Sequence, residues 1–254
     1  MTNQLEGKVV LVTGGSSGIG RATAIACAQE GADVIISDID ETGGMETLDA
    51  VRKCNSGDRA RFIKADVTRD AEVERLIKEL IASYGRLDCA HNNAGVTGPA
   101  LLTAEYPEND WNEVIRVNLT GIWLCMKYEL RQMALQKKGS IVNTSSGAGL
   151  RGLSYQCAYS ASKHGIIGLS KTAAAEYAKT GIRVNAVCPG FIDAGLTKRV
   201  VAKKPHLEEK YKSLIPMERF GKEEEVAESV IWLFSDASSF VTGHALTIDG
   251  GASA

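Results

Sequence analysis

The sequence predicts an α/β fold, a parallel sheet of about seven strands, doubly wound, with helices on both faces. Short apolar runs alternate along the chain with longer amphipathic ones, the order of a protein built from repeated strand-helix units. The short runs are apolar throughout instead of alternating with polar residues, so each strand needs cover on both faces. A third observation sits beside these. Glycine fills 26 of 254 positions, a tenth of the chain where about 7% is usual, so some part of the molecule depends on backbone freedom.

Residues 9–12 (Val-Val-Leu-Val) form the first strand. A helix over 19–30 follows and is closed by Gly31 at its C-terminal cap. Residues 34–36 are the second strand, 41–54 the second helix and 62–63 the third strand. Thr68 is placed to cap the next helix, whose apolar positions Val73, Leu76, Ile77, Leu80 and Ile81 make one buried stripe. Strands follow at 87–90, 139–144, 182–187 and 245–248, with helices at 108–136, 158–179 and 223–235. No linker rich in proline, serine or glycine divides the chain, so residues 1–254 are expected to form a single domain. One long irregular stretch, about 191–222, has the length of a lid or binding loop.

Charge and cysteine usage exclude several functions. Lys+Arg at 29 nearly balances Asp+Glu at 31, and the densest basic stretch, Lys203-Lys204 to Lys212, is interleaved with Glu208 and Glu209 as a solvated helix face is. Nucleic acid and anionic membrane are not expected partners. No apolar run approaches the roughly 18 residues of a membrane span, and the first one ends at Thr13-Gly14-Gly15, too short for a signal-peptide core. The six cysteines include no CxxC pair and none lies near a histidine at metal-ligand spacing. No metal centre is expected, and such cysteines suit a reducing compartment, the cytoplasm.

Three motifs carry chemistry. The first strand runs into Thr13-Gly14-Gly15-Ser16-Ser17-Gly18-Ile19-Gly20 and then a helix. Glycines let such a turn approach a pyrophosphate, which sits on the free N–H groups of the helix N-terminus. Asp38 ends the second strand, where a carboxylate accepts hydrogen bonds from both ribose hydroxyls and repels a 2′-phosphate. With no Arg or Lys beside it in sequence, the expected cofactor is NAD(H); Asp40 competes for the role. Tyr159 and Lys163 lie four residues apart on a helix, hence on one face. A nearby cation stabilises a phenolate whose free pKa is about 10. The four histidines are scattered; His164 should point off the catalytic face, and the three tryptophans are read as packing residues on helices.

Together, TGGSSGIG at 13–20, Asp66-Val67, Asn92-Asn93-Ala94-Gly95, Asn118, Ser146, Tyr159-x-x-x-Lys163, Pro189-Gly190 and Asp249-Gly250-Gly251 resemble the single-domain branch of the short-chain dehydrogenase/reductase family over essentially the whole chain. The resemblance implies a Rossmann-type fold, with Tyr159 as general acid/base, Lys163 lowering its pKa and holding the nicotinamide ribose, and Ser146 on the substrate oxygen, Ser145 being the alternative. Asn118 would bend the long helix and hold a water behind Lys163, a structural hydrogen bond being the other reading. Gly14, Ser17, Gly18, Ile19 and Gly20 would cradle the pyrophosphate. Asp66 and Val67 would flank the adenine, Asn93, Ala94 and Gly95 would line the cofactor, and Pro189, Gly190 and Ile192 would meet the nicotinamide. Ala194 stands where the family often has a threonine, with Thr197 three residues on.

The implied activity is NAD(H)-dependent interconversion of a small-molecule secondary alcohol and a ketone, in a homotetramer packed through the helices at 108–136 and 158–179 and through the C-terminal strand with the helix before it. A substrate pocket would draw on Val96, Thr97, Ala148, Leu153, Gln156 and the 191–218 segment. The alternatives are a 3-oxoacyl-thioester reductase and a protein that senses NAD without turnover.

Overall fold

The computed structural model describes residues 3–54, 59–203 and 207–254. One parallel sheet carries β1 (Val9–Thr13), β2 (Asp33–Asp38), β3 (Arg61–Lys64), β4 (Cys89–Asn92), β5 (Gly139–Thr144), β6 (Ile182–Pro189) and β7 (Ala245–Ile248) in the order β3-β2-β1-β4-β5-β6-β7. The winding direction reverses between β1 and β4. Open α/β sheets bind ligands at such a switch point, outside the carboxyl ends of the strands.

The uniformly apolar strands bury both faces, as expected. Successive strand residues point to opposite sides, and each side has its own core. Val10, Val12, Val34, Ile36, Val142 and Val187 pack against α1 (Gly18–Gln29), α2 (Glu41–Cys54) and α9 (Glu223–Phe234). Val9, Leu11, Ile35, Ala90, Ile141 and Val184 pack against α3 (Asp70–Tyr84), α5 (Gly121–Gln136) and α6 (Cys157–Tyr177). Fully burying a side chain of this size contributes about 1.5–3 kcal/mol, which makes the sheet a rigid platform.

Several expectations are corrected. Thr68 does not cap α3: its amide and hydroxyl both donate to Asp66 Oδ1, at 2.9 and 2.7 Å, and Arg69 stands at the cap position with no side-chain bond. The fourth strand begins at Cys89 instead of Leu87. The long helix comes in three parts, α4 (Glu108–Ile115), a π-helical turn at Arg116–Thr120 and α5. The stretch at 191–222 holds two short helices, α7 (Gly195–Lys203) and α8 (Leu207–Lys212), and Ile192 pairs with Gly221 at its base. Lys204 and His206 lie outside the described residues. Trp111, Trp123 and Trp232 are not core residues; they remain 38, 48 and 38% exposed on the outer faces of their helices.

Candidate active site

A cleft of about 900 Å³ opens at the carboxyl ends of the strands. Gly14, Ser17, Gly18, Ile19, Asp38, Asp66, Val67, Asn93, Ala94, Gly95, Ser146, Tyr159, Lys163, Pro189, Gly190 and Ile192 all line it, as do Val96, Thr97, Ala148, Leu153 and Gln156. Of the expected site residues, Gly20 and Asn118 stand behind the wall. The glycine turn is built by close approach of backbones. A Cβ on Gly14, which has φ +64°, would lie 2.7 Å from the Ala94 backbone, and one on Gly20 would lie 2.1 Å from the Gly14 carbonyl oxygen.

Asp38 is held at the rim by Ser16 N–H and Asp40 N–H, each at 3.0 Å to a different carboxylate oxygen. Each oxygen keeps a lone pair for another donor. Asp40 instead accepts from Gly43 N–H at 3.2 Å at the start of α2, and of the two acids Asp38 is the one that lines the cleft. At the next strand end, burial opposes ionisation of Asp66. Hydrogen bonds from the Thr68 hydroxyl and amide, with Arg116 and Arg69 nearby, outweigh that and hold its carboxyl below the ordinary range.

The far end of the cleft gathers the hydroxyls. Ser146, just past β5, stands with Tyr159 in the wall of the cleft, and its hydroxyl accepts from Ala148 N–H at 3.1 Å. Ser145 also lines the cleft but is buried and donates to the Lys163 carbonyl at 2.8 Å. Lys163 Nζ donates to the Thr144 carbonyl at 2.7 Å and lies 5.5 Å from the Tyr159 ring centroid. Asn118 sits in the π-helical turn, its Oδ1 accepting from Val96 N–H and its Nδ2 donating to Val96 O, both at 2.8 Å. A π-turn in a helix often marks a functional position; here it aims one side chain at the strand-β4 loop.

The comparisons with known proteins agree with this geometry. A family model described as enoyl-(acyl carrier protein) reductase matches residues 14–253. The chain is 44% identical to the short chain dehydrogenase/reductase astE of Aspergillus oryzae, covering 98% of this chain and 96% of that protein. The chain belongs to the short-chain dehydrogenase/reductase family. It is also 40% identical to 2,5-dichloro-2,5-cyclohexadiene-1,4-diol dehydrogenase of Sphingobium indicum, over 98% of each chain. Among solved structures, NAD+-bound xylitol dehydrogenase superimposes with a TM-score of 0.94 at 35% identity, over 97% of this chain and 99% of that one. This dehydrogenase/reductase is therefore an oxidoreductase with a Rossmann-type sheet, and its cleft is shaped for a dinucleotide.

Titration in this short-chain dehydrogenase/reductase departs from the expectation that Lys163 pulls the tyrosine down. Burial raises the Tyr159 phenol, and the Ser146 hydrogen bond offsets part of that. Burial also depresses Lys163, to about 8, because its ammonium has a carbonyl for a partner and no carboxylate.

Sequence reading named Asn93 but missed the residues that hold it. Asn93 Nδ2 donates to the Gly14 carbonyl at 3.1 Å, so its Oδ1 faces Thr144 and accepts that hydroxyl's proton at 3.2 Å. The His91 Nε2, 2.8 Å from the same hydroxyl oxygen, must then be the donor. Burial lowers the His91 pKa to about 3 and keeps the ring neutral. Thr144 thus links the phosphate turn, through Asn93, to Lys163, which its own carbonyl anchors. Arg21 was also missed; it donates to Ser16 O at 2.6 Å and pairs with Glu46 at 2.9 Å. These bonds join segments far apart in the chain and leave no local pattern. His164, exposed and 2.9 Å from Ser160 O, points off the site as expected. Among the described residues no group of His, Cys, Asp or Glu is placed to hold a metal ion, and no helix is long and apolar enough to cross a membrane.

Proposed function

We propose that the protein is an NAD(H)-dependent dehydrogenase that interconverts a secondary alcohol and a ketone, with Tyr159 as general acid/base. The observation that carries this reading is the gathering of Ser146, Tyr159 and Lys163 in the wall of one cleft, with Lys163 Nζ 5.5 Å from the Tyr159 ring centroid. NAD, when bound, supplies or accepts the hydride at the nicotinamide ring. The chain does the rest. Ser146 orients the substrate oxygen and stabilises charge developing there. Tyr159 gives that oxygen a proton in reduction and removes one in oxidation. Lys163, buried and cationic at neutral pH, holds the nicotinamide ribose, and Asn118 holds the Val96 strand end beside them.

The cradle fits a dinucleotide on its own geometry. A Cβ on Gly18 would meet nothing within 4 Å, an open position on the turn that lines the cleft. Asp38, with free lone pairs at the rim, favours NAD over NADP. The exposed Trp123 on α5, Trp232 on α9 and Phe240 before β7 support the homotetramer, since they lie on or beside the elements expected to pack between subunits. The six free cysteines support the cytoplasm.

The test follows absorbance of the reduced cofactor with NAD and NADP across secondary alcohols, polyols and hydroxyacyl thioesters. Oxidation with NAD is expected, and Tyr159→Phe is expected to lower kcat by about 10²–10⁴-fold. Full activity in Tyr159→Phe sinks the mechanism. A clear NADP(H) preference with 3-oxoacyl thioesters moves the protein to the reductase alternative, and binding of NAD without any turnover moves it to the sensor.

A further inference from the structure

Behind the cleft floor lies an acid that this chemistry does not use. Glu129, on α5, has no exposed surface. Its Oε2 accepts from Asn92 Nδ2 at 2.9 Å. The same Nδ2 donates to Asn143 Oδ1 in β5 at 3.0 Å, and Asn143 Nδ2 donates to Ser170 Oγ in α6 at 2.9 Å. Ser170 gives its own proton to the Ile166 carbonyl at 2.7 Å. These directions are forced. With its proton on Ile166, Ser170 must accept, so Asn143 turns Nδ2 to Ser170 and Oδ1 to Asn92. Asn92 must then turn Nδ2 to both Asn143 and Glu129.

That arrangement uses both Asn92 amide protons and leaves Glu129 Oε1 buried without a partner. A carboxylate there has one donor and no cation. Asn92 from β4, Asn143 from β5 and Ser170 from α6 are neutral, and among the described residues no charged group on α3, α6 or β6 acts on its titration. The titratable group that feels its charge is the Cys125 thiol one turn back. Burial accordingly pushes the Glu129 pKa up to about 8.

The position of this network gives it a use. Asn92 precedes Asn93, which bonds the Gly14 carbonyl, and Asn143 precedes Thr144, whose carbonyl anchors Lys163. Ser170 shares α6 with Tyr159 and Lys163. We propose that Glu129 is a positioning residue of the active site that, through Asn92 and Asn143, holds the β4 and β5 ends in register for the cofactor and for Lys163. The inference rests on the dehydrogenase reading of that site.

The test compares wild type with Glu129→Gln, which keeps the acceptor toward Asn92 and imitates the protonated acid, and with Glu129→Leu, which removes it. Because the native acid keeps its proton to higher pH than the unfolded chain does, wild-type stability falls as pH rises from the ordinary carboxylate range toward 8. Glu129→Gln lacks that loss, so its melting temperature relative to wild type rises from pH 5 to pH 8. The shift in melting temperature on adding NAD is expected to shrink in wild type above pH 8 and to shrink less in Glu129→Gln. Lys163 titrates in the same range, so the difference between the two proteins carries the test. With cyclohexanol as probe, Glu129→Gln keeps neutral-pH kcat/KM within about twofold, and Glu129→Leu loses at least roughly tenfold. Identical pH profiles and NAD shifts in wild type and Glu129→Gln overturn the proposal, as does a Glu129→Leu protein that melts earlier yet turns over normally. No turnover of any alcohol, polyol or thioester in the panel by wild type removes the dehydrogenase reading alone, since the NAD-induced shifts still decide the role of Glu129.

Discussion

On the floor of the cleft, Asn93, Asn118 and Lys163 each spend their polar atoms on backbone groups of neighbouring strand ends. The cover, here the described residues of 191–222 that border the cleft, such as Phe191, Ile192 and Tyr211, is held by other means. Phe191 stacks on Tyr211 with ring centroids 5.0 Å apart, and the outer surface carries exposed pairs, Lys212–Glu208 at 2.8 Å and Arg219–Glu225 at 2.7 Å. Buried, directional hydrogen bonds hold atoms to one geometry, because leaving any one unmade costs about 1–3 kcal/mol. Exposed ion pairs exact almost no such penalty. The floor is therefore the more rigidly defined side of the cleft, and the contacts of the cover cost less to remake.

The strongest way to break this contrast is at Lys163. Lys163→Met is expected to abolish turnover and still raise the melting temperature of the unliganded protein at pH 7. The sign follows from linkage. Burial depresses the native pKa to about 8, so below that pH the folded protein bears the cost of a buried ammonium. The advantage of the variant should shrink above pH 8, as wild type releases that proton while its unfolded chain retains it. A variant that melts lower than wild type at pH 7 would show that the Thr144 hydrogen bond outweighs desolvation.

A smaller effect is expected at the glycine turn. Gly20→Ala puts a methyl 2.1 Å from the Gly14 carbonyl oxygen and 2.7 Å from Asn93 Nδ2. Overpacking of this kind costs about 1–3 kcal/mol, and the displaced turn should weaken NAD binding measured by calorimetry. Unchanged affinity would mean that the floor tolerates movement. The smallest effect belongs to the cover. Tyr211→Ala removes a stacked pair worth about 0.5–1.5 kcal/mol beyond its area, and is expected to raise substrate KM a few-fold with kcat nearly unchanged. A large fall in kcat would place the cover among the parts that must be organised in advance.

Much of the floor was legible because its signals are local. The turn after β1, Asp38 at the end of β2 and the four-residue step from Tyr159 to Lys163 are readable from neighbours in the chain. His91, Thr144 and Glu129 were not, since each is defined by a partner about 40 to 50 residues away that only strand pairing brings near: Thr144 for His91, Asn93 for Thr144 and Asn92 for Glu129. The cover was read as irregular because α8, at six residues, is too short to show a periodic stripe. The tryptophans were read as packing residues because helical position alone does not say which face meets the sheet.

The sequence by itself determined the alternation of strands and helices, the two-sided burial of the sheet and the chemistry at the tip of each strand. Periodicity and turn residues act within a few positions, so one-dimensional order suffices for them. The tertiary structure alone decided how Ser145 is bonded, which acid stands at the rim, how burial shifts Tyr159 and Lys163 and where Glu129 lies. Those outcomes depend on desolvation and on the direction of hydrogen bonds. Both exist only once β4 and β5 lie side by side with α5 and α6 packed over them.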